Sequence, residues 1–133
     1  MKKLLLPLVF ILLINLIPSK IEAINVSGNI STNTTWTLAN SPYVVTSSIF
    51  INPNVTLTIE AGVSVKFNTN QEMQIYGTLI ANQVTFSTNN PNPAPGDWGQ
   101  IIVGGWSQQD SSKIYLNYCL IEYSQSLNIL NGK

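Results

Sequence analysis

Apolar and polar residues alternate with a period of two through VTLTIEAGVSVKF, residues 55–67, and the alternation returns about 20 residues later. In the first run Val55, Leu57, Ile59, Ala61, Val63, Val65 and Phe67 fall on one side. Thr56, Thr58, Glu60, Gly62, Ser64 and Lys66 fall on the other. This is the pattern of a half-buried strand, and Thr, Val and Ile suit a pleated surface. Ala61-Gly62 is too small to fill a core and predicts a bend rather than one long strand. The return is MQIYGTLIANQVTFS, residues 73–87, with Met73, Ile75, Gly77, Leu79, Ala81, Val84 and Phe86 inward. Val55 then aligns with Ile75, Ile59 with Leu79 and Ala61 with Ala81 at an offset of 20. Val63 aligns with Val84 and Val65 with Phe86 at 21, so the extra residue is placed at Asn82-Gln83. Trp98, Ile101 and Val103, and later Ile121 and Tyr123, echo the unit. Two loop-like insertions, NNPNPAPGD at 89–97 and GGWSQQDSS at 104–112, stretch the spacing there.

A self-similar unit of about 20 residues built of short strands predicts a solenoid, because one unit cannot bury its apolar face alone and stacked units share a core. The expected fold is all-β, a right-handed parallel β-helix of about four coils over residues 36–133. Asn52-Pro53-Asn54 is then a corner between strands on different faces of one coil, not a hairpin loop. The competing architecture is an antiparallel β-sandwich, which short strands and polar turns also fit. Residues 24–35 (INVSGNISTNTT) are a leader into the coils or a partial N-terminal cap. Residues 126–133 (SLNILNGK) open another coil, which predicts an uncapped edge of unpaired backbone groups at that end. The expected consequence is self-association through the edge of the C-terminal coil, or continuation in a longer surface protein.

The N-terminal residues read differently. Lys2 and Lys3 precede an almost unbroken apolar run from Leu4 to Ile17, and Pro18 to Ala23 follow. A positive start, an apolar stretch and a small residue at the end make a secretory signal over residues 1–23. The fourteen residues of this run reach about 21 Å, short of the ~30 Å hydrocarbon core, and no membrane span is expected after cleavage. The expected location is secreted, extracellular or at the cell surface. After Ala23 the chain carries Lys66, Lys113 and Lys133 against Glu60, Glu72, Asp97, Asp110 and Glu122, three cations and five acids, for a net charge of −2.

The whole chain has no His and one Cys, and only 9% of its residues are charged. Every one of its basic residues is Lys. Ser-His-Asp and Cys-His catalysis, His-containing metal sites and bidentate Arg clamps are excluded by the residue inventory. Without Arg or a basic patch, nucleic acid is not an expected partner. Cys119 reads as a small buried hydrophobe, with an intermolecular disulfide as the alternative.

The order Trp36, Ser41-Pro42-Tyr43-x-Val45, VTLTIEAGVSVKF, YGTLIA, VTFST and GDWGQI resembles the N-terminal coils of secreted bacterial right-handed parallel β-helix proteins of the pectin-lyase-like superfamily. The resemblance covers residues 36–124 and implies the fold and secretion. That superfamily spans lyases, hydrolases, adhesins and non-catalytic surface proteins, so activity does not follow from it. The Arg and Lys of pectate-lyase-type sites have no counterpart here.

Asp97 in Pro-Gly-Asp-Trp is expected to cap a turn, and Asp110 to sit in a solvated loop. The 20-residue register brings no second acid against Glu60, which opposes both a glycosidase pair and a calcium site. A lyase needs a base with cationic charge or calcium, and only Lys66 and Lys113 precede the C-terminal residues. No catalytic residue, cofactor or metal is expected. Aromatics are the remaining candidates: Trp106 in its Gly-containing loop, with Tyr115 and Tyr76 outward by alternation, would stack against sugar rings. Trp36 and Trp98 are expected to pack over coil ends or corners. The expected function is a non-catalytic extracellular module for adhesion or binding to polysaccharide or a surface protein. A polysaccharide lyase or glycoside hydrolase is the runner-up.

Overall fold

The computed structural model describes residues 21–105 and 111–129. The segment read as a secretory signal therefore lies outside the described residues except for its last three. The described chain is a parallel β-solenoid of four turns and the start of a fifth. It is not a sandwich, since every strand pairing is parallel.

The first turn is β1 (Ile24–Ile30) and β2 (Thr34–Trp36), and the second is β3 (Tyr43–Ile51) and β4 (Thr56–Ile59). The third is β5 (Ser64–Phe67), β6 (Met73–Ile75) and β7 (Thr78–Asn82). The fourth is β8 (Thr85–Thr88), β9 (Trp98–Val103) and β10 (Lys113–Asn117), and β11 (Leu120–Ile121) and β12 (Ser124–Ile129) open the fifth. Strands β2, β4, β7 and β10 form a four-stranded sheet, and the other eight form a second sheet. The long β3 pairs with β5 through residues 43–45 and with β6 through residues 49–51, so the larger sheet divides into two walls. Each turn thus visits wall one, wall two and wall three in order. The segment 24–35, read as a leader or partial cap, contributes β1, paired along both halves of β3, and the start of β2.

Period-two alternation sends every second side chain of all three walls into one interior. Its columns follow the register: Tyr43, Val65, Phe86 and Ile121 on wall one, and Ile49, Met73 and Ile101 on wall two, where Leu127 continues the column but is exposed. On wall three they are Leu57, Leu79 and Ile114, beside Trp36, Ile59, Ala81 and Leu116. Val65, Phe67, Met73, Ile75, Leu79 and Phe86 are fully buried. Each such side chain contributes about 1.5–3 kcal/mol of transfer free energy. Trp98 and Phe67 stack at 4.1 Å, and the Trp98 indole donates to the Glu122 carbonyl. Trp36 stacks on Tyr43 at 4.8 Å. Both Trp residues are buried; Trp98 lies fully inside the core rather than over a corner.

Two details of the register correct the reading from sequence. Leu57, not Ile59, lies against Leu79, and Ile59 lies against Ala81, an offset of 22 rather than 20. The corner from wall two to wall three explains it. Ile51 pairs with Ile75 and Leu57 with Leu79, so Asn52–Val55 holds two residues more than the Tyr76–Gly77 corner beneath it. Val55 is opposite Gly77, not Ile75, and Thr78 donates to the Val55 carbonyl. Ala61, assigned to the interior, is exposed. The corner at Gly62 takes φ +85°, which turns Ala61 outward. Three residues separate Ile59 from Val63, so the inward parity survives the corner and resembles an unbroken strand. In the next turn Gln83 takes the left-handed conformation, and the corner is one residue shorter.

Gly77 is the tightest point of the staircase: a side chain there would overlap the backbone oxygens of Val55 and Asn52. Gly77→Ala is therefore expected to cost ~3 kcal/mol or more. Gly28→Ala, where an added carbon meets nothing within 4 Å, carries only backbone strain of about 1 kcal/mol. Urea unfolding midpoints check this; equal losses would contradict the register.

Candidate functional site

The corner between walls one and two lengthens from the second turn to the fourth and contracts to residues 122–123 in the fifth. In the second turn it is residues 46–48, inside β3; in the third it is 68–72; in the fourth it is 89–97. Phe67 pairs with Thr88 and Met73 with Ile101, so the offset grows from 21 to 28 across the last of these. The enlarged corner forms one wall of an open cleft of about 490 Å³, lined by Thr46, Asn68, Thr69, Gln71, Asn89, Asn90 and Pro91. No lining residue carries a charge.

Register builds the floor of this cleft. Val45 pairs with Phe67 and Phe67 with Thr88, which stacks Thr46, Asn68 and Asn89 in a column. The Asn89 amide donates to Asn68 Oδ1 at 3.0 Å. Gln71 is fixed at both ends, donating to the Thr69 carbonyl and accepting from Ser48. The long corner braces itself: Thr88 Oγ1 accepts from the Asn90 N–H, Asn90 Oδ1 from the Asn92 N–H, and Asp97 Oδ2 from the Ala94 N–H. Asp97 is the turn cap expected from sequence.

A second polar network runs across the turns beside the cleft. Ser48 accepts from the Glu72 N–H, and Gln100 Nε2 donates to Glu72 Oε1 at 3.2 Å. Gln100 Oε1 in turn accepts from Ser126 and from Asn128. The Glu72 side chain crosses the backbone at Gly99, where a Cβ would stand 2.6 Å from Glu72 Cγ. Elsewhere, Glu60 Oε2 accepts from the Leu38 N–H at 2.8 Å and Glu122 Oε1 from Ser87 at 2.9 Å. Glu60, Glu72, Asp97 and Glu122 are thus spread over different parts of the solenoid, each accepting a hydrogen bond from within it. Among the described residues no three His, Cys, Asp or Glu cluster as metal ligands.

Of the three aromatics expected to bind, Tyr115 stands on the outer face of β10, 55% exposed, opposite Ile80 at 40%. Asn82 and Asn117 form the outward pair next to them. Tyr76 is half-buried at the corner from wall two to wall three, where its carbonyl accepts from Ser112. Trp106 and Asp110 lie outside the described residues. The stacked rings among the described residues are the interior pairs, Trp36–Tyr43 and Phe67–Trp98, so Tyr76 and Tyr115 do not form a ring contact. Sequence reading did not single out Tyr118, 84% exposed at the corner that follows β10, at φ +50°. It also missed the cleft, whose only linear signal is the recurrence of Asn and Thr at 46, 68 and 89.

Comparison with protein-family models, curated proteins and solved structures found no match for this chain.

The network predicts an asymmetry between two outward glutamines. Gln100→Ala removes the hydrogen bonds to Glu72, Ser126 and Asn128, of which only Ser126 and Asn128 keep one to each other, and is expected to cost about 1–1.5 kcal/mol. Gln74→Ala, on the outer face of the neighbouring strand, is expected to stay within about 0.5 kcal/mol. Urea titrations distinguish the two; a neutral Gln100→Ala would mean that the ladder contributes nothing.

Proposed function

We propose that this chain is a secreted, non-catalytic β-solenoid module that binds polysaccharide or a surface protein outside the cell. The single observation that carries the reading is the uncharged corner cleft, held open by side chains fixed in the solenoid's own hydrogen bonds. Two further facts agree with it. The carboxylates of Glu60, Glu72, Asp97 and Glu122 serve corners and the outer ladder. Residues 21–23 are exposed and precede the first strand, so a cut after Ala23 would leave that strand whole. A likeness to the pectin-lyase-like superfamily, with a bacterial source, belongs to the same reading and rests on the motifs of the sequence.

The full chain expressed in a secreting bacterium tests it. The exported protein is expected to begin at Ile24, to bind immobilised glycans or whole cells above background, and to leave polyuronates intact. Absence of any binding would remove the reading. Cleavage of a polyuronate, lost in a folded Asp97→Ala variant, would replace it with the enzyme.

A further inference from the structure

We infer that the corner cleft is itself the ligand site, and that it takes a neutral, hydroxyl-rich glycan chain lying along the solenoid axis. The inference rests on the proposal that the chain is an extracellular binding module and assigns that module its site and ligand class.

The chemistry of the lining selects the class. Asn89 gives one amide hydrogen to Asn68 Oδ1, which leaves the Asn68 amide hydrogens and Asn89 Oδ1 facing no partner among the described residues. Asn90 spends Oδ1 on the Asn92 N–H and keeps its amide hydrogens. Thr69 adds a hydroxyl to the same lining. The cleft therefore offers donors and an acceptor side by side, the set that a pair of vicinal hydroxyls satisfies, since each hydroxyl both donates and accepts. An anionic ligand would lose hydration and find no cation; a metal ion would find no carboxylate. Pro91 supplies an apolar surface for the carbon face of a ring.

Geometry selects a polymer rather than a free sugar. Thr46, Asn68 and Asn89 belong to three successive turns, which are ~4.8 Å apart. A chain laid along the axis meets an equivalent polar side chain at each turn. The volume of about 490 Å³ falls within the ~300–1,000 Å³ of small-molecule sites. Preorganisation adds to affinity, because Gln71 and the 89–97 corner are fixed before the ligand arrives. The Tyr115, Ile80 and Tyr118 surface on the other side of the solenoid is the rival location.

The test is an array of neutral glucans, mannans, galactans and xylans beside polygalacturonate and sulfated glycans, followed by titration of the best neutral oligosaccharide. Wild-type protein is expected to bind neutral glycans, with affinity unchanged between about 0.05 and 0.5 M salt, since no ion pair is involved. Asn68→Ala/Asn89→Ala is expected to weaken binding at least tenfold. Thr69→Trp, which fills the cleft from an exposed turn, is expected to do the same with an unchanged unfolding midpoint. Tyr115→Ala is expected to stay within twofold. Binding retained by both cleft variants, or lost in Tyr115→Ala alone, overturns the site while leaving the binding module standing. Hits confined to charged glycans overturn the ligand class. No binding to any glycan overturns this inference, and only absence from whole cells as well removes the underlying reading.

Discussion

A single turn of this chain has no inside. Its apolar residues point toward a space that is filled only when the turns above and below are in register, so the contact of each inward column with the next is what the structure depends on. Leu57 on Leu79 and Ile59 on Ala81 show how narrow the tolerance is. A slip of one residue in β4 would turn Thr56 and Thr58 inward and Leu57 and Ile59 out. Parallel backbone pairing fixes the spacing, the inward side chains fix the register, and neither is stable alone.

Corners are where that constraint relaxes. A residue added in a strand would reverse its faces, whereas one added at a corner only changes the outline. The turns differ accordingly: the corner between walls one and two grows from residues 46–48 to 68–72 to 89–97, while the strands around it keep their columns. The left-handed residues Asn54, Asn70, Gln83, Tyr118 and Tyr123 all stand at corners. The fold thus separates its duties. The walls hold the interior, and the widening corner creates a polar cleft at no cost to packing.

Much of this was legible in the sequence, for a physical reason. Burial on one face writes alternation directly into the chain, so the strands of the third turn, their inward residues and the loop character of 89–97 follow from pattern alone. The offset did not, because inward parity is unchanged by a two-residue shift, and the extra residues of Asn52–Val55 are invisible until Gly77 is seen beneath Val55. β1 was obscured because INVSGNI is an end strand with a positive-φ glycine at Gly28 and few apolar residues. The cleft was the least legible feature. Thr46, Asn68 and Asn89 are far apart in sequence and become neighbours only through the register, while Tyr115 was found because outward alternation on a strand is a local property.

The most direct test of the account is a disulfide scan on outward positions of β4 and β7, in a Cys119→Ser background. Stacked turns with an offset of 22 place Thr58 beside Ile80 at the spacing of paired parallel strands, ~4.8 Å, inside the range a disulfide spans. Thr58→Cys/Ile80→Cys is expected to cross-link quantitatively on mild oxidation without loss of the native fold, and Thr58→Cys/Thr78→Cys to remain reduced. Cross-linking of the second pair in place of the first, or of neither in folded protein, would contradict the staircase on which the core, the corners and the cleft all rest.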